Sequence, residues 1–116
     1  MTTTDRPSIR DRVRAGEATV GTWMGLGSAH AAEQCGRAGF DWVVIDTEHG
    51  MGTEADILGQ LYAVGVTPAA AIVRVERSDR LRIGRMLDLG ADGLVIPRLD
   101  TPDEVREAVS WMRFPP

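Results

Sequence analysis

Phe40-Asp41-Trp42-Val43-Val44-Ile45-Asp46-Thr47-Glu48-His49-Gly50 runs from an unbroken apolar stretch straight into two carboxylates and an imidazole. A strand that meets water on neither face carries such a continuous Val/Ile run, which marks a parallel sheet covered by helices. Ligands of such sheets bind beyond the carboxyl ends of the strands. Asp46, Glu48 and His49 fall at that end, so the stretch predicts chemistry as well as packing.

Outward from this strand, helix and strand signals alternate. Ser8 to Ala15 reads as an entry helix, with Ile9 and Val13 a turn apart and Gly16 as its stop. Thr19 to Met24 is a first strand and leads into Gly25-Leu26-Gly27. Ser28 caps a helix to Ala38, which Gly39 closes in the left-handed position. Asp41 to Asp46 is the second strand.

Thr53-Glu54-Ala55-Asp56 resembles a capping box with Asp in place of Glu. Ile57, Leu61 and Val64 then form one stripe of a helix that stops at Gly65. Pro68 introduces a third strand, Ala69 to Val75. Ser78 opens a helix with Ile83, Met86 and Leu87 inward and Gly90 at its end. Leu94 to Ile96 is a fourth strand. Thr101 caps a last helix, Pro102 fits its first position and Glu104 reaches back to the cap. Val105, Ala108, Val109 and Met112 follow helical spacing, and the proline of Phe114-Pro115-Pro116 forbids continuation. Four βα units with right-handed crossovers fit two α/β solutions: half of a (β/α)8 barrel, or a small doubly wound sheet.

Composition narrows the partners. The 116 residues are one domain by length, 1–116, able to bury roughly two-thirds of their unfolded surface. A net charge of −4 argues against nucleic acid, which needs a concentrated basic face. All basic side chains except histidine are arginine, so no lysine amine is present to form a Schiff base. Cys35 stands alone, which excludes an internal disulfide and a thiolate metal cluster. The N-terminus lacks the apolar core of a signal peptide, and no run reaches the roughly 20 apolar residues of a membrane span. A cytoplasmic protein with a small-molecule partner is expected.

Among the polar residues, Asp46 and His49 lie three apart across a turn, where a carboxylate can hold an imidazole that moves protons near neutral pH. Solvated loop charges are the equally simple reading. Arg74 ends the apolar third strand at the same level, with five donors suited to a carboxylate or an oxyanion; the competing reading is an arginine that snorkels to water. Asp88 sits near the end of an apolar helical stretch, where a solvated residue is the commoner case. Arg98 ends the fourth strand and faces either the same rim or Asp100. Gly25-Leu26-Gly27-Ser28-Ala29-His30 partly mimics a dinucleotide fingerprint, with Asp46 near the distance of a ribose contact, but His30 replaces the third glycine.

The order Gly21-Thr22-Trp23, Ala38-Gly39-Phe40-Asp41-Trp42-Val43-Val44-Ile45-Asp46-Thr47-Glu48-His49-Gly50, Val73-Arg74, Met86-Leu87-Asp88-Leu89-Gly90-Ala91 and Val95-Ile96-Pro97 resembles the class II, metal-dependent pyruvate aldolases of the 4-hydroxy-2-oxoheptanedioate aldolase and citrate lyase β-subunit family. Arg113-Phe114-Pro115-Pro116 resembles the segment before that family's glycine-arginine loop. The resemblance implies a (β/α)8 TIM-barrel type, present as an N-terminal half barrel, that cleaves a 4-hydroxy-2-oxo acid to pyruvate and an aldehyde.

By the same resemblance, His49 assists deprotonation of the C4 hydroxyl through a water held by the metal. Arg74 holds the pyruvate oxygen as it becomes an enolate, and Trp23 joins it in binding substrate. Asp46 supports the histidine or the water. Asp88 is associated with the histidine, reaching it across a subunit boundary. The family's Mg2+ or Mn2+ ligands lie in the second half of the barrel, so none is matched here, Glu48 included. A half barrel exposes the edges of its outer strands, which predicts pairing with another chain as a homo-oligomer. A non-catalytic half-barrel module and a small dinucleotide-binding unit using Gly25, Gly27 and Asp46 are the other readings.

Overall fold

A computed structural model describes residues 7–114. Met1 to Arg6 and Pro115-Pro116, read above for a leader and a helix stop, lie outside the described residues. The elements are α1 (Ile9–Arg14), β1 (Gly21–Met24), α2 (Ala29–Arg37), β2 (Trp42–Asp46), α3 (Glu54–Gly65), β3 (Ala70–Arg74), α4 (Arg80–Asp88), β4 (Gly93–Val95) and α5 (Pro102–Ser110).

The four strands are parallel and stand in the order β1-β2-β3-β4. A doubly wound sheet reverses its strand order at a switch point, where its ligand binds. This sheet steps one way throughout, so the doubly wound expectation falls and a run of barrel wall remains.

Side chains alternate across each strand, and the two faces differ in composition. Met24, Val43, Ile45, Ala71 and Val73 point to the helices, where they pack with Ala32 of α2, Ile57, Leu61 and Val64 of α3, and Met86 of α4. Val43, Val64, Val73 and Met86 are completely buried. Each such side chain stabilises the fold by roughly 1.5–3 kcal/mol on transfer from water. The opposite face carries Trp23, Val44, Ile72 and Gly93 in one register row, then Asp46, Arg74 and Val95 in the next.

Local chemistry sets the helix ends. Ser8, Ser28 and Thr101 accept from the backbone amide three residues on, and the boxes Thr53–Asp56 and Thr101–Glu104 are both formed. Gly16, Gly39 and Gly90 take positive φ past α1, α2 and α4. Several boundaries shift: β1 begins at Gly21 and not Thr19, β2 at Trp42 and not Asp41, and β3 is Ala70–Arg74 and not Ala69–Val75. Asp79, not Ser78, caps α4, because its Oδ1 accepts from the Arg82 amide at 3.0 Å. β4 is Gly93–Val95 and not Leu94–Ile96, because β3 ends at Arg74 and its last register partner is Val95. α5 ends at Ser110, short of Met112, and of its expected apolar stripe only Ala108 is buried; Val105 and Val109 stay exposed. Among the described residues no helix is long and apolar enough to cross a membrane.

Candidate functional site

Asp46 is the last residue of β2, and strand parity puts its carboxylate on the face that the helices do not cover. Oδ1 accepts from the amides of Glu48 at 3.0 Å and His49 at 3.1 Å, folding the following loop back over the strand end. Gly50 completes this turn: a Cβ there would lie 2.1 Å from the Asp46 carbonyl oxygen, so no other residue fits. Thr47 ties the loop to the next strand, donating to the Arg74 carbonyl from its amide at 3.0 Å and its hydroxyl at 2.6 Å.

Arg74 stands in register with Asp46, and its Nε donates to Asp46 Oδ1 at 3.0 Å. Burial resists the charge on Asp46. The amides of His49 and Glu48, with Arg74, more than offset that penalty and hold the carboxyl below its usual range. The Arg74 guanidinium carbon lies 4.9 Å from the Trp23 ring centroid, a cation–π contact that adds to its placement.

Glu48 is the hub of the rim. Its Oε2 lies 3.3 Å from Arg74 Nε, and its Oε1 lies 3.3 Å from Arg98 Nη2 and 3.8 Å from His49 Nε2. Guanidinium and imidazole therefore converge on one carboxylate that is itself mostly buried. The residue types in the opening stretch showed Glu48 as a charge near the strand end but gave it no role. The available signal was parity, since Glu48 follows Asp46 by two.

The structure adds detail to three of the sequence readings. Asp46 supports His49 through the main chain and not through the imidazole, which is largely exposed. Arg98 turns to Glu48 and to the Glu76 carbonyl, 3.0 Å away, and not to Asp100. Asp88 is exposed at the end of α4, a helix that runs back against the strand direction. Nine residues of helix, about 13 Å, carry it toward the opposite rim, so a single chain does not bring Asp88 to His49. Trp23 is half-exposed beside Arg74.

The Gly25-to-His30 loop has an explanation in packing. Gly27 takes φ +66, and a Cβ on it would come 2.5 Å from Gly52 Cα, so the glycine serves the contact between two loops. His30 is exposed in the first turn of α2. Among the described residues no group of three His, Cys, Asp or Glu side chains is placed to hold a metal ion. The residues present do not fit Mg2+ or Mn2+ by themselves, since Asp46 and Glu48 already answer Arg74.

Residues 19–116 match the HpcH/HpaI aldolase/citrate lyase family. The chain belongs to that family. It is 38% identical over 109 residues to the 4-hydroxy-2-oxo-heptane-1,7-dioate aldolase of Salmonella arizonae, covering 94% of this chain and 41% of that protein. A crystal structure of an HpcH/HpaI aldolase/citrate lyase family protein from Burkholderia cenocepacia superposes with a TM-score of 0.87 at 37% identity, over 96% of this chain and 44% of the other. The citrate synthase SbnG superposes with a TM-score of 0.85 at 28% identity, over 94% of this chain and 44% of the other. The chain thus spans less than half the length of these relatives.

Proposed function

We propose that this chain supplies the β1–β4 rim of a carbon–carbon lyase that cleaves a 4-hydroxy-2-oxo acid to pyruvate and an aldehyde. The observation that supports it best is the convergence of Arg74 and His49 on Glu48 at the carboxyl end of neighbouring strands. In this reading the Arg74 guanidinium donates to the 2-oxo oxygen, which gains charge as the C3–C4 bond breaks and the enolate of pyruvate forms. One such donor contributes on the order of 3 kcal/mol to the barrier. His49 takes the proton of the C4 hydroxyl, whose oxygen becomes the aldehyde carbonyl. Glu48 Oε1, 3.8 Å from the imidazole Nε2, gives it a carboxylate neighbour during that transfer. The apolar row Trp23, Val44 and Ile72 floors the site, with Trp23 against the small pyruvyl unit.

A divalent cation, which the family resemblance brings with it, supplies Lewis-acid stabilisation of an enolate when bound. Its ligands are not found among the described residues, so the steps above belong to this chain's side chains alone. Further strands beside β1 and β4 are needed to close a barrel, whether from more chain or a second copy of this one. Sedimentation showing a stable monomer at low concentration would count against pairing of copies. Asp88 belongs to the same reading as a residue that meets His49 of a neighbouring subunit.

The test is release of pyruvate from 4-hydroxy-2-oxoheptanedioate with Mn2+ present, followed by coupled reduction of the product. His49→Ala and Arg74→Ala each abolish it; unchanged turnover in either variant, or no pyruvate from the parent protein, overturns the proposal. The lack of a cation-ligand set favours one second reading, a non-catalytic half-barrel module, under which the parent protein also fails to exchange pyruvate protons with Mn2+.

A further inference from the structure

We infer that Arg82 is a positioning residue, a clamp on α4 that holds the loop of Glu48 and His49 in place without touching the substrate. The inference rests on the aldolase reading for what Glu48 and His49 then do. Arg82 Nε and Nη2 donate to the two carboxylate oxygens of Glu76, each at 2.8 Å. This planar fork fixes direction as well as distance, which a point charge does not. Its Nη1 donates to Glu54, the first residue of α3. One mostly buried side chain thus ties α4 to the loop after β3 and to the start of α3.

From there the contacts close a ring at the rim. The Glu76 main-chain carbonyl accepts from Arg98 Nη2 at 3.0 Å, and the same nitrogen lies 3.3 Å from Glu48 Oε1. Arg98 has φ +56 and is the one non-glycine residue with positive φ among the described residues. Side chains with a Cβ avoid this region, so a residue kept there marks an orientation that its surroundings impose. Glu48 lies early in the loop between β2 and α3, and that loop ends at Glu54, back on Arg82. The segment that carries His49 is therefore held at one end by Asp46 and Thr47 and at the other by the clamp. Glu54 and Glu76 are themselves half-exposed, so water screens both pairs and neither adds much to global stability. What the clamp supplies is placement, and a displacement of about 1 Å at reacting groups costs on the order of 10²-fold in rate.

Amide hydrogen exchange on the full chain, with Arg82→Gln, tests this. The Glu48 and His49 amides, which donate to Asp46 Oδ1, are expected to exchange about tenfold faster in the variant. The Val20 and Ala71 amides at the opposite rim, and the thermal midpoint, stay as in the parent. In the cleavage assay kcat falls about tenfold at an unchanged KM, because Arg74 keeps its own partners. Glu76→Gln breaks the fork but spares the carbonyl under Arg98, and is expected to loosen the same two amides. Arg85→Gln removes the other arginine on Glu54 and leaves them as they are. Unchanged exchange at Glu48 and His49 in Arg82→Gln, equal acceleration at both rims, the same loosening in Arg85→Gln, or a raised KM with kcat kept each overturn the clamp. The expected loosening around a parent that releases no pyruvate sinks the aldolase reading and leaves the clamp standing.

Discussion

At the amino-terminal rim of the sheet Arg12 pairs with Glu17 and Asp41, and at the carboxyl-terminal rim Arg74 pairs with Asp46 and Glu48. The chemical types match, but the remaining lone pairs go to different places. Asp41 Oδ2 accepts from the Val20 amide and Asp92 Oδ2 from the Ala71 amide, both at 2.8 Å, so these carboxylates clasp neighbouring segments together. Asp46 instead accepts from the amides of its own loop, which holds out Glu48 and His49. Exposure follows the same division: the Arg12 side chain is nearly buried, whereas Arg98 and His49 reach solvent. A cavity of about 850 Å³, lined in part by Arg12, Asp41, Thr67 and Asp92, lies at the clasped rim. Its charged groups are spent on the fold, so its size does not make it the reactive site. Barrels divide their labour this way, with chemistry at the carboxyl ends of strands and stability at the other end.

The contrast breaks most easily at Arg74. Arg74→Ala is expected to abolish measurable turnover, a loss of at least about 10²–10³-fold for one oxyanion donor, with a small change in thermal midpoint. A large fall in the midpoint with turnover retained would place Arg74 among the clasps. Asp41→Ala is expected to do the reverse. It removes the acceptor of the Val20 amide and a partner of Arg12 and costs about 0.5–1.5 kcal/mol in urea unfolding, while titration of 2-oxo acid at the other rim is unchanged.

Acid sharpens the comparison further. Asp46, Glu54, Asp56 and Glu104 all ionise below their ordinary values of 3.8 for Asp and 4.5 for Glu. A carboxyl whose folded pKa lies below its unfolded one binds fewer protons when folded. Its stabilising share is complete above the unfolded pKa and is lost as pH falls through the folded one. Unfolding midpoints should therefore hold from neutral pH down to about 4.5 and drop below it. Asp46→Asn is expected to flatten that drop by a small amount, the least of these effects. An unaltered acid slope in the variant would mean that Asp46 is no better held folded than unfolded.

Much of this was legible before any coordinates. The caps at Ser28 and Thr101, the box at Thr53–Asp56 and the stops at Gly16, Gly39 and Gly90 depend on groups within a few residues of one another. So does the placing of Asp46 and Arg74 at strand ends, because an apolar run stops where its chain leaves the sheet. The one-residue shifts at Asp79 and β4 arose where two adjacent groups could serve equally and the neighbouring strand made the choice.

The sequence by itself determined the alternation of helix and strand, the apolar face that the helices cover, and which charges arrive at the carboxyl-terminal rim. Only the tertiary structure decided the one-way strand order and the meeting of positions 48 and 98 across two strands. Caps and apolar periodicity act over one helical turn and are written in consecutive residues. Register, crossover direction and the φ of Arg98 are set by packing between segments tens of residues apart, which no local stretch contains.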